Sequence, residues 1–118
     1  MNARDPNLPL QADEATALGA YAERVWDDEI VPALTDYIAI PAKSPMFDAD
    51  WAAHGYIDKV LTQAAAWVES KKVVGLKLEV IRIPGRTPVI FFEVPATKPG
   101  SDDTILLYGH LDKQPEFC

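Results

Sequence analysis

The sequence predicts an α/β fold in which two N-terminal helices are followed by three strands. Three observations predict it. Apolar residues recur at helical spacing from Asp13 onward, the period changes to two after Gly75, and an all-apolar run occupies residues 104–108. Because an all-apolar run is typical of a strand covered on both faces, we expect 104–108 to be the most buried strand.

The first predicted helix follows an extended lead-in of about twelve residues. Its apolar positions form two stripes that are out of phase near residues 26–29. Pro32 explains the slip, because proline has no N–H and its ring clashes with the carbonyl of Asp28. We expect a kink or two abutting helices, with these apolar positions: Leu18, Tyr21, Ala22 and Val25, then Ile30, Leu34, Tyr37 and Ile38.

The second predicted helix comes after a proline-rich loop at residues 40–45. Asp48 or Asp50 is expected to cap it. His54 lies one turn before Asp58, a spacing that predicts a surface pair rather than a metal site. The apolar face of this helix consists of Ile57, Val60, Leu61, Ala64, Trp67 and Val68.

The first two predicted strands form a hairpin. Residues 76–80 alternate apolar and charged side chains, which predicts a half-buried strand. The alternation fails at Val80-Ile81, which leaves two alternatives: a bulge, or coverage on both faces. Residues 84–88 are a turn, so the run 89–94 is expected to be antiparallel to the first strand and more buried.

The third strand carries the candidate chemistry at its carboxyl end. Gly109 allows a sharp turn, and His110 and Asp112 follow it. Zinc is held by neutral imidazole nitrogens that a carboxylate orients from behind. His110 is therefore the candidate metal ligand, and Asp112 is the candidate catalytic-site residue that fixes its imidazole. The alternative is a histidine that only makes local hydrogen bonds.

The stretch Leu106-Leu107-Tyr108-Gly109-His110-Leu111-Asp112-x-Gln114-Pro115 closely resembles the first zinc-ligand motif of the M20 family of metallopeptidases, and within it the carnosine-dipeptidase-like branch. The loop Ile40-Pro41-Ala42-Lys43-Ser44-Pro45 is similar to the Ile-Pro-Ser-x-Ser-Pro signature of that family, with Ala42 in place of the first serine. The order helix, helix, strand, strand, strand matches the opening of the M20 catalytic domain.

This resemblance implies a zinc-dependent hydrolase of amide bonds in dipeptides or N-acyl amino acids. In the family, two zinc ions are bridged by an Asp and water, and a Glu is the general base. Only His110 and Asp112 have counterparts here, because the other site residues and the lid domain follow the motif. Residues 1–118 are thus expected to be the N-terminal part of an M20 catalytic domain with a mixed sheet, inactive alone. A homodimer of the full-length protein is a further expectation.

Two functional classes stay open: this segment of a hydrolase, and a non-catalytic α/β interaction module. A catalytic zinc generally takes three protein ligands, which one histidine cannot supply. Nothing in their spacing places Glu93 or Glu116 near His110. Nucleophilic hydrolysis has little support, since no serine lies in a nucleophile elbow and Cys118 has no partner.

Composition limits the partners. The chain of 118 residues is 48% hydrophobic and 25% charged, as is ordinary for one soluble domain. A net charge of -7 argues against nucleic acid, and Arg82 and Arg86 are expected to be solvated. No apolar stretch approaches the ~20 residues that span a bilayer, and the start of the chain lacks a signal-peptide core. We therefore expect a cytoplasmic location and no membrane partner.

Overall fold

The computed structural model describes residues 9–97 and 103–116, so Cys118 lies outside the described part. Helices and strands are both present, as predicted. The elements are α1 (Ala12–Val25), a π-helical turn (Trp26–Ile30), α2 (Val31–Ala39), α3 (Trp51–His54), α4 (Tyr56–Ser70), β1 (Lys77–Ile81) and β2 (Val89–Glu93). The chain divides into two compact units, residues 1–38 and 39–118. None of the described helices has the length and apolar character needed to cross a bilayer.

The first unit contains a π-helical turn where the sequence predicts a phase slip. The N–H of Val31 bonds to the carbonyl of Trp26, five residues earlier, so the helix is one residue wider here. Pro32 has no N–H to donate to the carbonyl of Asp28, so that α-helical hydrogen bond is absent in any case. A wider turn immediately before Pro32 therefore costs few further α-helical hydrogen bonds. α1 and α2 consequently abut through this turn, which is one of the two predicted outcomes.

The apolar stripe of the first unit is exposed. No residue of α1, the π-helical turn or α2 is buried. Leu18 and Tyr21 are 54% and 56% exposed, and Trp26 is 52% exposed. The periodicity therefore predicts the helix, whereas the burial that normally accompanies such a stripe is missing within this unit.

The core of the second unit is built on α4. Ile57, Val60 and Leu61 are buried, as the predicted helical face requires, and Ala65 joins them. The predicted single helix is interrupted, however, by Gly55 between α3 and α4. Gly55 has φ of 69°, a left-handed conformation that glycine adopts without strain and that ends α3.

The predicted hairpin is present and has no bulge. β1 and β2 are antiparallel in continuous register from Lys77 opposite Glu93 to Ile81 opposite Val89. β1 alternates between exposed and half-buried positions, as predicted. The prediction that the second strand is more buried is wrong, because most of β2 is exposed and Phe92 is 51% exposed.

Residues 104–108 do not form the predicted buried third strand. Ile105, Leu106 and Leu107 are each 87% exposed and Tyr108 is 91% exposed. The segment is irregular, and the sheet of the described residues has two strands only. A strand needs a neighbour to satisfy its N–H and C=O groups. The apolar run predicts a tendency to be buried, but it does not supply a pairing strand.

Candidate functional site

His110 and Asp112 lie in contact. His110 Nδ1 is 3.0 Å from Asp112 Oδ1 and 3.0 Å from the backbone oxygen of Asp112. Both partners are acceptors when the carboxyl group is ionised, so Nδ1 carries the ring hydrogen and donates it. The neutral imidazole then keeps its lone pair on Nε2. The side chain of His110 as a whole is 63% exposed.

This pair fits one zinc ligand and the group that orients it. A ligating imidazole almost always donates its other ring N–H to a carboxylate or a carbonyl, and His110 does both. Residues 9–97 and 103–116 contain no group of three or more His, Cys, Asp or Glu side chains that could hold a metal ion. The described residues therefore fit part of a zinc site and not a complete one. The sequence offers Glu93 as a possible neighbour of His110. In the structure Glu93 pairs with Lys77 on the hairpin, with 3.8 Å between Glu93 Oε1 and Lys77 Nζ.

The segment that carries the pair is attached to the loop after α2. The N–H of Lys113 donates to Ala42 O at 2.8 Å, and the N–H of Ser44 donates to Lys113 O at 2.8 Å. Lys43 and Lys113 form a parallel bridge. The two stretches that resemble M20 signatures thus contact each other, although about seventy residues separate them. Ala42 is fully buried, which explains why a residue with a minimal side chain occupies this position.

Lys113 is the site-proximal residue that the sequence analysis missed. Its Nζ donates to Ile40 O. Burial lowers the pKa of Lys113, because the charged ammonium loses hydration there. Nothing in the local pattern around residue 113 indicates these contacts, since a lysine after a strand usually reads as solvated. Only the pairing of two distant segments makes it half-buried.

His54 also has an aspartate partner, but not the predicted one. His54 Nδ1 lies 2.8 Å from Asp48 Oδ2. The predicted pair with Asp58 is wrong because Gly55 breaks the helix between the two residues, so they do not lie one turn apart on one helical face. The hydrogen bond to Asp48 raises the pKa of His54, and the charges of Asp48 and Asp50 add to it.

Asp58 pairs instead with Arg82 of the loop after β1. Both side chains remain 54% exposed, so Arg82 is solvated as expected while it pairs with this carboxylate. An ion pair at such exposure contributes little to stability, typically 0 to about 1 kcal/mol. The contact joins α4 to the hairpin and does not involve the His110 segment.

Comparisons with known proteins do not identify the chain. No protein-family model matches it, and no curated protein matches it.

Proposed function

We propose that this chain supplies the first zinc ligand of an M20-type hydrolase that cleaves amide bonds in dipeptides or N-acyl amino acids. The observation that carries the proposal is the His110–Asp112 contact. A hydrogen on Nδ1 satisfies this contact, which keeps the lone pair of Nε2 for a ligand, and the His110 side chain is 63% exposed. The motif resemblance adds the hydrolase class and the substrates. The remaining ligands and the general base come from residues outside the described part of the chain.

The two residues have different roles in this proposal. His110 binds zinc through Nε2, and Asp112 accepts the Nδ1–H, which holds the ring in one tautomer and orientation. Bound zinc would polarise a carbonyl and lower the pKa of a water molecule. Neither residue performs hydrolysis without the rest of the site.

The fuller fold is part of the same proposal. We infer that residues 104–108 become a buried strand of a mixed zinc-peptidase sheet once strands from another part of the protein lie beside them. Four consecutive apolar side chains that are 87–91% exposed support this, because so continuous an apolar run normally lies in a core. A cytoplasmic location and a homodimer of the full-length protein belong to the proposal as well.

The test uses the polypeptide encoded by the complete reading frame that contains this chain. Zinc content is measured beside turnover of dipeptides and of N-acyl amino acids. We expect zinc-dependent turnover that His110→Ala abolishes and that His54→Ala, the matched variant in the other His–Asp pair, retains. Turnover of only the N-acyl substrates would replace the dipeptidase assignment with a deacylase. No turnover of either class by zinc-loaded protein would reject the hydrolase proposal.

A non-catalytic interaction module is the second candidate, and the exposed apolar surface favours it. Segment 105–108 and the stripe on α1 are the kind of continuous apolar surface that partners cover. Under this alternative, Leu106→Asp weakens association with a second protein while His110→Ala leaves that association unchanged. Sedimentation of the wild-type chain and both variants, alone and with candidate partners, separates the module from the hydrolase segment.

A further inference from the structure

The peptide group between Asp112 and Lys113 is hydrogen-bonded on both sides. Its carbonyl oxygen, that of Asp112, accepts the bond from His110 Nδ1 at 3.0 Å. Its N–H, that of Lys113, donates to Ala42 O at 2.8 Å. A peptide group is planar and rigid, so the direction of one bond constrains the direction of the other. The imidazole of His110 is therefore connected to a fully buried residue through a single rigid unit.

The Lys113 side chain attaches this peptide group to the same loop a second time. Its Nζ donates to Ile40 O, and Ile40 is only 7% exposed. The carbonyl of Lys113 accepts from the N–H of Ser44 at 2.8 Å. One residue thus contacts the loop through its amide, its carbonyl and its ammonium group. Such a set of contacts leaves the backbone at Lys113 little freedom to rotate.

The residues before His110 have no comparable attachment. Residues 104–109 make no backbone hydrogen bond to another part of the described chain. Their side chains are exposed, with Leu107 at 87% and Tyr108 at 91%. We infer that the orientation of His110 and Asp112 relative to the loop at Ala42 is set from the Lys113 side.

We propose that Lys113 is a positioning residue for the His110–Asp112 pair. It holds the Asp112–Lys113 peptide group so that the Asp112 carbonyl and carboxylate both meet His110 Nδ1, and this leaves Nε2 as the nitrogen with the free lone pair. The inference rests on the proposed function only in naming zinc as the ion that Nε2 binds. The positioning itself is a property of the metal-free chain, so the two ideas can fail separately.

The test measures which ring nitrogen of each histidine carries the hydrogen, by NMR correlation of the ring nitrogens with the ring protons. The chain has two histidines, and His54, paired with Asp48, is the internal control. Lys113→Met removes the Nζ donor, Lys113→Arg keeps one, and Lys59→Met changes an exposed lysine of α4. We expect the neutral imidazole of His110 to carry its hydrogen on Nδ1 in three proteins: the wild type, the Lys113→Arg variant and the Lys59→Met variant. In Lys113→Met we expect His110 alone to change to a mixture of both tautomers.

Three results would overturn the inference. The first is an unchanged His110 tautomer in Lys113→Met, and the second is an equal change at His54, which would indicate general loosening. The third is measured by amide hydrogen exchange in the wild type and needs no variant. The N–H of Lys113 donates to Ala42 O, so it should exchange with solvent more slowly than the N–H of Leu107. Equal exchange rates would overturn the inference. This third measurement decides the case if Lys113→Met does not fold.

A zinc titration of the polypeptide from the complete reading frame, with and without Lys113→Met, separates this inference from the proposed function. A His110 tautomer that depends on Lys113, with zinc signals that never involve His110, would leave the positioning inference standing and reject the metal role. Zinc binding at His110 Nε2 that is equally strong in Lys113→Met would support the metal role and reject the positioning inference. If both ideas hold, Lys113→Met weakens zinc binding by roughly 10- to 100-fold, as expected for loss of an orienting contact.

Discussion

His54 Nδ1 lies 2.8 Å from Asp48 Oδ2, across the start of α3. Asp48 also accepts a bond from the N–H of Asp50 at 3.2 Å, and its side chain is only 15% exposed. The ring of His54 is 5.6 Å from that of Tyr56, at the first position of α4. His54 therefore joins the loop before α3 to the helix after it, which is a structural role.

The first prediction concerns the pH dependence of stability. Because the hydrogen bond to Asp48 raises the pKa of His54 in the folded state, folding favours the protonated ring. The stabilising contribution is thus fully present below about pH 6.5, the unfolded value, and is lost as the pH rises through the folded pKa. Urea unfolding across this range should show stability falling with pH. His54→Gln and Asp48→Asn should both flatten that slope, and Val74→Ala, at a 92% exposed position, should keep it.

The second prediction concerns the glycine that separates α3 from α4. A β-carbon at Gly55 would meet no atom within 4 Å, so the cost of Gly55→Ala comes from its φ of 69° alone. We expect a loss of roughly 1–2 kcal/mol, with Gly55→Asn less harmful because asparagine tolerates this conformation. Gly19→Ala is the matched control: its site in α1 is equally open but helical, so alanine should stabilise by roughly 0.5–1 kcal/mol. Equal effects in circular-dichroism melting would contradict the left-handed assignment.

The third prediction concerns the small core under α4. Val60 is 1% exposed and is the largest fully buried side chain among the described residues. Val60→Ala should lower the free energy of unfolding by roughly 2 kcal/mol, through lost burial and the cavity left behind. Val74→Ala should stay within about 0.5 kcal/mol. Equal destabilisation by the two variants, measured by urea unfolding, would show that the core lies elsewhere.

The sequence predicts those parts of the fold that depend on neighbours along the chain. The stripes around Pro32 predict the helical segments and the phase slip, and the alternation around Leu78 predicts β1. The break at Gly55 is harder to predict, because a glycine within a helical pattern is often tolerated. The partner of His54 depends on that break, so the predicted pair with Asp58 is wrong.

Parts that depend on distant segments are not predictable from local patterns. The run ending at Tyr108 has the composition of a buried strand, but burial needs strands that the described residues do not provide. The local pattern predicts a solvated Lys113, yet pairing with the loop at Ala42 leaves this residue half-buried. The short spacing from His110 to Asp112 is local, and their contact is found at 3.0 Å.

The fourth prediction ranks three variants of the candidate site in the polypeptide from the complete reading frame. Asp112→Ala removes the carboxylate partner and should cost roughly 10- to 100-fold in zinc affinity or activity. Asp112→Asn keeps an oxygen acceptor and should cost less. His110→Ala empties a ligand position and should cost more than either. A far-ultraviolet circular-dichroism spectrum of each variant checks that the fold persists.

The most direct test of the central claim, that His110 ligates zinc under the control of Asp112, is the zinc content of His110→Ala measured beside its turnover. The account predicts sub-stoichiometric zinc and turnover lost beyond the level of Asp112→Ala, with both values normal in His54→Ala. Full zinc occupancy together with full activity in His110→Ala would contradict it.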